Sequence, residues 1–598
     1  MVSRLQQYLN LPAKFGPSIL LVVTILVLLL LAACSDEGTG TPVRLTVSGD
    51  QRTQTSNRDN IPTVPPPTPT YTPLPVTPTL APTPTPPVIM GGKANGVVLN
   101  DALTLHPYKE NSATGQQYIP LLYGAALTRL DPVTLQPQPA AAARWTVSDT
   151  TVTFTLKEGL KWSDGKPLTS ADYLWTYQQA AKAENGWPLA LAAIFNPVDS
   201  TAGGIETYLA PDPRTLVIKL HSFSADIISR ADIIEPLPGH IWTNLDWNDP
   251  AKNPQIKAPT VVSGPWKLKE WKPNSSITFE RNPNSSVYPV PRLETLTFNV
   301  LADSQVALQK LKLGEVDFFN PSPAEYTNLL PLPNVQTYSW GPARPTWYFA
   351  GFNFQKPDFQ DKSLRQALAW ATDYRAILDK QAFGLGRQLN SSMSPWQPAF
   401  NPNTARYELK LDKAKELLKQ AGYTLQNNQL VNKAGKALGP FKLVYNTPSP
   451  LYEGLAATLK ANFAALGIGL ELRNYDYGNY QKFLASPNAD FDLFLSGWRA
   501  DYAPENFVDV WHAGLDLNSG SYQNSRLLDM YAQAQGEADI TRRKEWLIQA
   551  QAIEAEDLPY IFLYAEQGRL VVNKRLAGFA PGLLGPEQNR YSDWFASK

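Results

Sequence analysis

A single cysteine, Cys34, among 598 residues excludes any internal disulfide. Histidine is almost as scarce: His106, His221, His240 and His512 are the only four, and no two stand at the helical spacing of a metal-ligand pair. No HExxH, no GxSxG nucleophile elbow and no Walker loop occurs. The nearest approach to a phosphate loop is Gly165-Lys166, but Pro167 stands where Ser or Thr is required. These absences leave no catalytic residue to name and ask for no metal and no cofactor. A hydrolase built on two scattered carboxylates is the weakest of the remaining classes. Lys plus Arg and Asp plus Glu both total 53, so no charge excess points to nucleic acid as a partner.

Proline is abundant, at 53 residues, and its placement divides the chain. Arg4 and Lys14 precede an apolar run at residues 19–33 whose one polar member is Thr24. Its 15 residues fall short of the roughly 20 that span a bilayer, and it ends in small residues as an export signal does. Leu31-Ala32-Ala33-Cys34 resembles the bacterial lipoprotein signal, in which the Cys becomes the lipidated first residue of the mature protein. Residues 1–33 are therefore expected to be a signal peptide, and Cys34 the lipid attachment that holds the protein at the outer face of the cell membrane or in the periplasm. A permanent membrane-anchor helix is the alternative. Removing residues 1–33 leaves 51 cations against 53 anions.

Residues 34–92 read as a stalk. Its first part is Thr, Ser, Gly, Asn and Arg with nothing to bury. Residues 62–87 then carry 12 prolines and 8 threonines, a composition that favours extended polyproline II. At ~3.1 Å per residue this part reaches about 80 Å, enough to hold a globular body off a membrane.

From residue 93 the periodicities change to those of a folded α/β chain. Residues 151–156 alternate strictly, Asp164-Gly165 is a hairpin signal, and Thr169 to Asp172 opens a helix as a capping box. Asp303 is placed to cap a helix with Val306, Ala307 and Leu311 inward and Gly314 as its stop. Ser363 precedes a helical pattern through Leu364, Leu368, Ala371 and Ile377. From residue 441 the order becomes strand, helix, strand, helix, strand, which is βαβ logic around a largely parallel sheet. The last of these strands lies in DFDLFLSGWRADYAP (residues 490–504), with apolar Phe491, Leu493 and Leu495 and an expected stop at Ser496 and Gly497. In open α/β sheets ligands meet the chain just beyond the carboxyl ends of strands.

Five ordered segments carry a resemblance: WTVSDTTVTFTLKEGLKWSDGKPLTSADYLWTY (145–177), GPWKLKEW with ITFERNP (264–283), LQKLKLGEVDFF (308–319), FNFQKPDFQDKSLRQALAWATDYRAI (352–377) and GWRADYAP (497–504). In this order they resemble the large solute-binding proteins that serve peptide and nickel ABC importers, and the likeness spans residues 93 to 598. It implies an α/β, two-lobed periplasmic-binding-protein-like fold with mixed sheets, a hinge and an extra subdomain. Domain I is then expected at 93–137, 259–344 and 565–598, domain II at 138–258 and domain III at 345–564, with hinge crossings near 340–347 and 564–569.

The resemblance also implies a non-enzymatic cycle in which a peptide is captured by hinge closure and handed to an ABC importer permease. Peptide-binding members pair an aspartate in a motif like GWRADY with the ligand's α-ammonium, and the matching residue is Asp501. Trp498 matches an aromatic near their side-chain pockets. Arg499 falls where the pattern varies, and Tyr502 and Tyr475 are aromatic residues at expected strand ends. Arg365 and Arg375 are expected in structural ion pairs. The fold class also serves binders of nickel complexes, sugars and other solutes, and an exported peptide sensor or chaperone would share the same tether. A monomer is expected.

Overall fold

The computed structural model describes residues 90–598 apart from 111, 113, 186–204, 224, 230–234, 330–331, 342–345, 487–488, 500–507, 512–517, 580–581, 583–584, 586–589 and 597–598. Cys34, the apolar run at 19–33 and the stretch at 62–87 lie outside the described residues. No helix among the described residues is long and apolar enough to cross a membrane.

The main strands, in chain order, are β1 (Lys93–Val98), β2 (Ala142–Ser148), β3 (Thr151–Leu156), β4 (Ile205–Asp212), β5 (Thr215–Leu220), β6 (Trp266–Lys272), β7 (Ser276–Arg281), β8 (Thr295–Val300), β9 (Phe318–Phe319), β10 (Val335–Trp340), β11 (Thr346–Phe352), β12 (Gly386–Gln388), β13 (Phe441–Asn446), β14 (Leu470–Tyr475), β15 (Leu493–Arg499), β16 (Tyr560–Glu566) and β17 (Gly568–Asn573). They form three principal sheets. Seven strands run in the order β10-β17-β9-β1-β8-β7-β6, six in the order β12-β16-β11-β15-β13-β14, and four in the order β2-β3-β5-β4. Both larger sheets are mixed. β1 is parallel to β8 and β9, and β13 is parallel to β14 and β15, while the remaining pairs are antiparallel.

Burial follows the same division. One core draws every member from between Trp347 and Ala565, and a second draws from Ala94 to Trp340 and again from Leu570 to Trp594. A third, smaller cluster covers the seven-stranded sheet with the helix at Ser304–Leu313 and takes in Leu385 from the other side, and the two larger cores around the two large sheets make two lobes. Two stretches of chain join them side by side. β10 ends with Trp340 opposite Gly568, and β11 has Trp347 opposite Ala565, so each crossing strand leaves one sheet next to its neighbour and enters the other in the same way.

Helix ends are where local sequence predicts best. α1 (Ser170–Ala180) carries the expected capping box, with the Asp172 carboxylate accepting from Thr169 N at 2.8 Å. α2 (Ser304–Leu313) is capped by Asp303 and ends at Gly314 with φ +75°. Its inward face differs by one residue, because Leu308 is buried while Val306 is 43% exposed. α3 (Lys362–Ala371) is capped by Asp361, which accepts from Ser363 N, so Ser363 is not the cap. The helical pattern that continues to Ile377 is split in two, since Asp373 caps a fresh helix at Tyr374–Lys380. The remaining helices include α4 (Leu411–Gln420), α5 (Pro450–Ala464), α6 (Tyr477–Leu484), α7 (Ser525–Gly536) and α8 (Ile540–Asp557). β13, α5, β14, α6 and β15 follow one another as the βαβ reading requires, but the sheet is not largely parallel as expected, because β11 pairs antiparallel with both β15 and β16, and β16 antiparallel with β12.

Two expectations shift for physical reasons. At Asp164-Gly165 the turn forms, with Gly165 N donating to Trp162 O at 2.9 Å, but only a single bridge between Lys161 and Pro167 flanks it. The flanking bonds are Trp162 N to Lys166 O at 2.9 Å and Leu168 N to Leu160 O at 3.0 Å, so the hairpin is one bridge long. The strand expected to stop at Ser496 and Gly497 continues to Arg499, because β11 pairs along its whole length from Phe352↔Leu493 to Thr346↔Arg499.

Gly264, the first residue of GPWKLKEW, packs against backbone. A Cβ there would lie 2.1 Å from Leu121 O and 2.7 Å from the carbonyl carbons of Leu121 and Leu122. Backbone cannot rotate away as a side chain can. Gly264→Ala is expected to destabilise the protein by about 3 kcal/mol, at the upper end for overpacking, read as a lowered urea midpoint.

Candidate functional site

The carboxyl ends of β13 and β14 lie together, with Asn446 opposite Tyr475, and β15, parallel to β13 at Leu443↔Leu493 and Val444↔Phe494, runs on past them to Arg499. Helix starts cluster at the same end. Ser449 caps α5 by accepting from Tyr452 N, and Asp476 caps α6 by accepting from Asn479 N at 3.0 Å. This end of the sheet is polar because parallel strands must return through helices whose first N–H groups need partners.

On one face, three neighbouring strands place Tyr348, Gly497 and Tyr564 in register. The rings of Tyr348 and Tyr564 are 5.0 Å apart, and Tyr452 from the first turn of α5 meets Tyr348 edge-on at 6.1 Å. Gly497 is therefore not a strand stop but a space: a Cβ there would approach Tyr348 Cδ1 to 2.8 Å and the Tyr452 hydroxyl to 3.1 Å. Burial and the nearby Glu566 carboxylate hold the Tyr348 hydroxyl far above its usual pKa, so it stays a donor. It donates to Glu566 Oε2 at 3.0 Å.

On the other face Trp498 is half-buried and stacks on Phe349, with ring centroids 6.4 Å apart and planes within 11°. Phe349 in turn stacks on Tyr560 at 4.0 Å, and Trp511 meets Tyr560 at 4.9 Å. Trp498 and Trp511 therefore join one aromatic cluster from either side of residues 499–510. Below the cluster Glu554 is fully buried, accepting from Ser392 N at 2.8 Å and Tyr531 OH at 2.7 Å. Burial raises its pKa above the usual carboxylate range, although these donors favour the charged form.

The residues singled out from sequence fare unequally. Trp498 and Tyr475 stand at strand carboxyl ends, and Tyr475 stacks on Phe483 at 4.8 Å. Arg499 closes β15 opposite Thr346. Asp501 and Tyr502 lie outside the described residues. Arg365 is held by Asp557, and Arg375 pairs with Asp379 at 3.7 Å on the surface. Tyr348, Tyr452, Glu566 and Arg569 were not legible as a group, because they come from three distant segments. The one available signal is the charged pair in EQGR, residues 566–569, interrupting two apolar strands.

No set of three or more His, Cys, Asp or Glu capable of holding a metal ion occurs among the described residues. His106 is fully buried, its Nδ1 accepts from Tyr108 N at 3.1 Å, and the rings of Trp242 and Trp247 lie 5.1 and 4.8 Å away. Burial, with Lys109 nearby, pushes its pKa down to about 3, so it is a neutral core residue.

Residues 136–515 match the family model for bacterial extracellular solute-binding proteins, family 5. The chain belongs to that family. This solute-binding protein is 26% identical over 456 residues to the oligopeptide-binding protein AppA of Bacillus subtilis, covering 74% of this chain and 80% of that protein. It is also 26% identical over 523 residues to a probable deoxycholate-binding periplasmic protein, YgiS, of Escherichia coli, covering 82% and 91%. Among solved structures, the substrate-binding protein CtaP of Listeria monocytogenes superposes with a TM-score of 0.72 at 22% identity, over 85% of this chain and all of that one. AppA of Bacillus subtilis in complex with a nonapeptide gives 0.67 at 23% identity, over 85% and 99%. The solute-binding protein thus has the two-lobed periplasmic-binding fold.

Proposed function

We propose that this solute-binding protein captures short peptides between its lobes and delivers them to the permease of an ABC importer, without chemical change to the cargo. The observation that carries this reading is the match along 80% of the length of an oligopeptide-binding relative. Asp501 is the proposed partner of the peptide's α-ammonium, with Trp498 supplying apolar area and Arg499, Tyr502 and Tyr475 secondary contacts. An extended peptide also satisfies its main chain as an added strand, which gives affinity without demanding a sequence.

The proposed lobes follow the sheets. Residues 93–137, 259–344 and 565–598 hold the strands of the seven-stranded sheet, 138–258 the four-stranded sheet and 345–564 nearly all of the six-stranded one. Cys34 is the proposed lipid anchor, residues 1–33 its signal peptide and 34–92 the stalk of a monomer. A different cargo is the second reading, favoured by a similar fold that holds a nickel–histidine complex in NikZ of Campylobacter jejuni.

Gentle unfolding of the protein as purified from its native host, followed by mass spectrometry of what it releases, tests the assignment. Short peptides are the expected release. A sugar, a bile acid or a metal complex would overturn the peptide reading while leaving the binding role intact.

A further inference from the structure

One charged pair sits in the hinge itself. Glu566 ends β16 in the lobe of the six-stranded sheet, and Arg569 lies in β17 of the seven-stranded sheet, with only Gln567 and Gly568 between them. Arg569 Nη1 is 2.5 Å from Glu566 Oε1, and each side chain is only 17% exposed. The two ends are tied down separately. Glu566 is held on its own lobe by the Tyr348 hydroxyl, whose ring is packed by Tyr452 and Tyr564. Arg569 is held on the other lobe through its Nε, which donates to Pro321 O at 2.5 Å.

A rotation of one lobe against the other must turn the chain at residues 566–568, because Gly568 and Ala565 already belong to different sheets. The distance between an Arg pinned on one side and a Glu pinned on the other then changes with the hinge angle. A half-buried ion pair is screened less than a surface one, and separating it leaves each charge without its partner in a poorly hydrated place. The pair is formed in the same structure in which Ala225 N donates at 2.8 Å to Gln535 O, near the end of α7. That bond joins the two lobes away from the crossings, since Gln535 belongs to a helix packed in one core and Ala225 precedes Ile227 of the other.

We propose that Tyr348, Glu566 and Arg569 form an electrostatic clasp across the hinge that favours the form in which the lobes meet. They act as positioning residues that raise affinity without touching the cargo. A ligand shifts the equilibrium only by its differential affinity for the two forms, so a clasp that prepays part of closure tightens binding of any cargo. The clasp is independent of whether that cargo is a peptide.

Hydrogen–deuterium exchange of the full chain in detergent micelles, with no ligand added, reads the clasp at a distance. Glu566→Gln keeps the size and an acceptor for Tyr348 but removes the charge. Peptides containing the Ala225 amide are expected to exchange at least about fivefold faster than in the wild type, because that amide is released when the lobes part. Tyr348→Phe, which deletes one hydroxyl from a ring otherwise held in place, is expected to shift exchange at Ala225 in the same direction by less. Arg569→Lys, which retains charge but not the fork that also reaches Pro321, is expected between the two. Faster exchange confined to residues 566–570, with Ala225 as in the wild type, would reduce the pair to a local bond and overturn the proposal. Unchanged exchange at both places would do the same. Should Glu566→Gln fail to accumulate as folded protein, Tyr348→Phe and Arg569→Lys carry the same two outcomes.

Discussion

Replacing Asp501 with Asn is expected to weaken binding of peptides with a free amino terminus by about 10- to 100-fold, the range set by losing one charge-assisted hydrogen bond. Amino-acetylated versions of the same peptides, which carry no ammonium, are expected to bind the variant and the wild type within about twofold. The prediction rests on charge rather than shape, since Asn is nearly isosteric and can still accept. A carboxylate taken out of water is costly without its partner, so an empty, closed cleft around Asp501 would be disfavoured. Isothermal titration with the paired peptides separates the possibilities. Equal losses for free and acetylated peptides would sink the ammonium role, and no loss for either would remove Asp501 from the site.

The second large effect concerns the scaffold that carries the strand ends. Arg365 in α3 is 3% exposed and spends its guanidinium on the end of α8. Its Nε donates to Asp557 O at 3.1 Å and Leu558 O at 3.2 Å, and its Nη2 donates to Asp557 O at 2.6 Å. Nη1 donates to Phe359 O at 2.7 Å, and the cation lies 4.9 Å from the centre of the Phe354 ring. Leu558 takes a left-handed backbone, φ +48°, so α8 stops there and its last carbonyls need an outside donor. Arg365→Leu removes that donor from the carbonyls of Phe359, Asp557 and Leu558, while the Asp557 carboxylate keeps the Tyr522 hydroxyl and the Asn524 amide. The expected cost is about 3–5 kcal/mol, measured as a shift in the denaturant midpoint at constant slope. Lys362→Ala, which removes the exposed pair with Glu556 one turn earlier, is the contrast. It is expected to cost less than about 1 kcal/mol, because solvent already screens that pair. Comparable losses for both would show that burial does not govern these cations.

Most of the helix starts and stops could be read from the chain alone. Asp303, Gly314 and Thr169 with Asp172 act within three or four residues of themselves, so the information for each end is local. The proposed signal peptide and stalk rest on composition and on a run at residues 19–33, both of which are local as well. Ordered motifs from residue 145 to 504 were enough to mark the family. The βαβ order from residue 441 was legible for a related reason: apolar period and Gly stops change at each boundary.

What lay beyond the sequence depends on partners far away in the chain. The run of β15 to Arg499 is decided by β11, some 150 residues earlier, whose hydrogen bonds continue past the point where the apolar alternation ends. Gly497 looked like punctuation and is instead the gap that admits Tyr348 and Tyr452. Asp361 rather than Ser363 caps α3, and nothing local separates two good capping residues two positions apart. The periodicity of this chain determined that it would be an α/β protein, and its ordered motifs marked the solute-binding family. Only the tertiary structure decided which side chains meet across the hinge, because an ion pair such as Glu566 with Arg569 takes its meaning from the lobes that Tyr348 and Pro321 belong to, and not from the two residues that separate it.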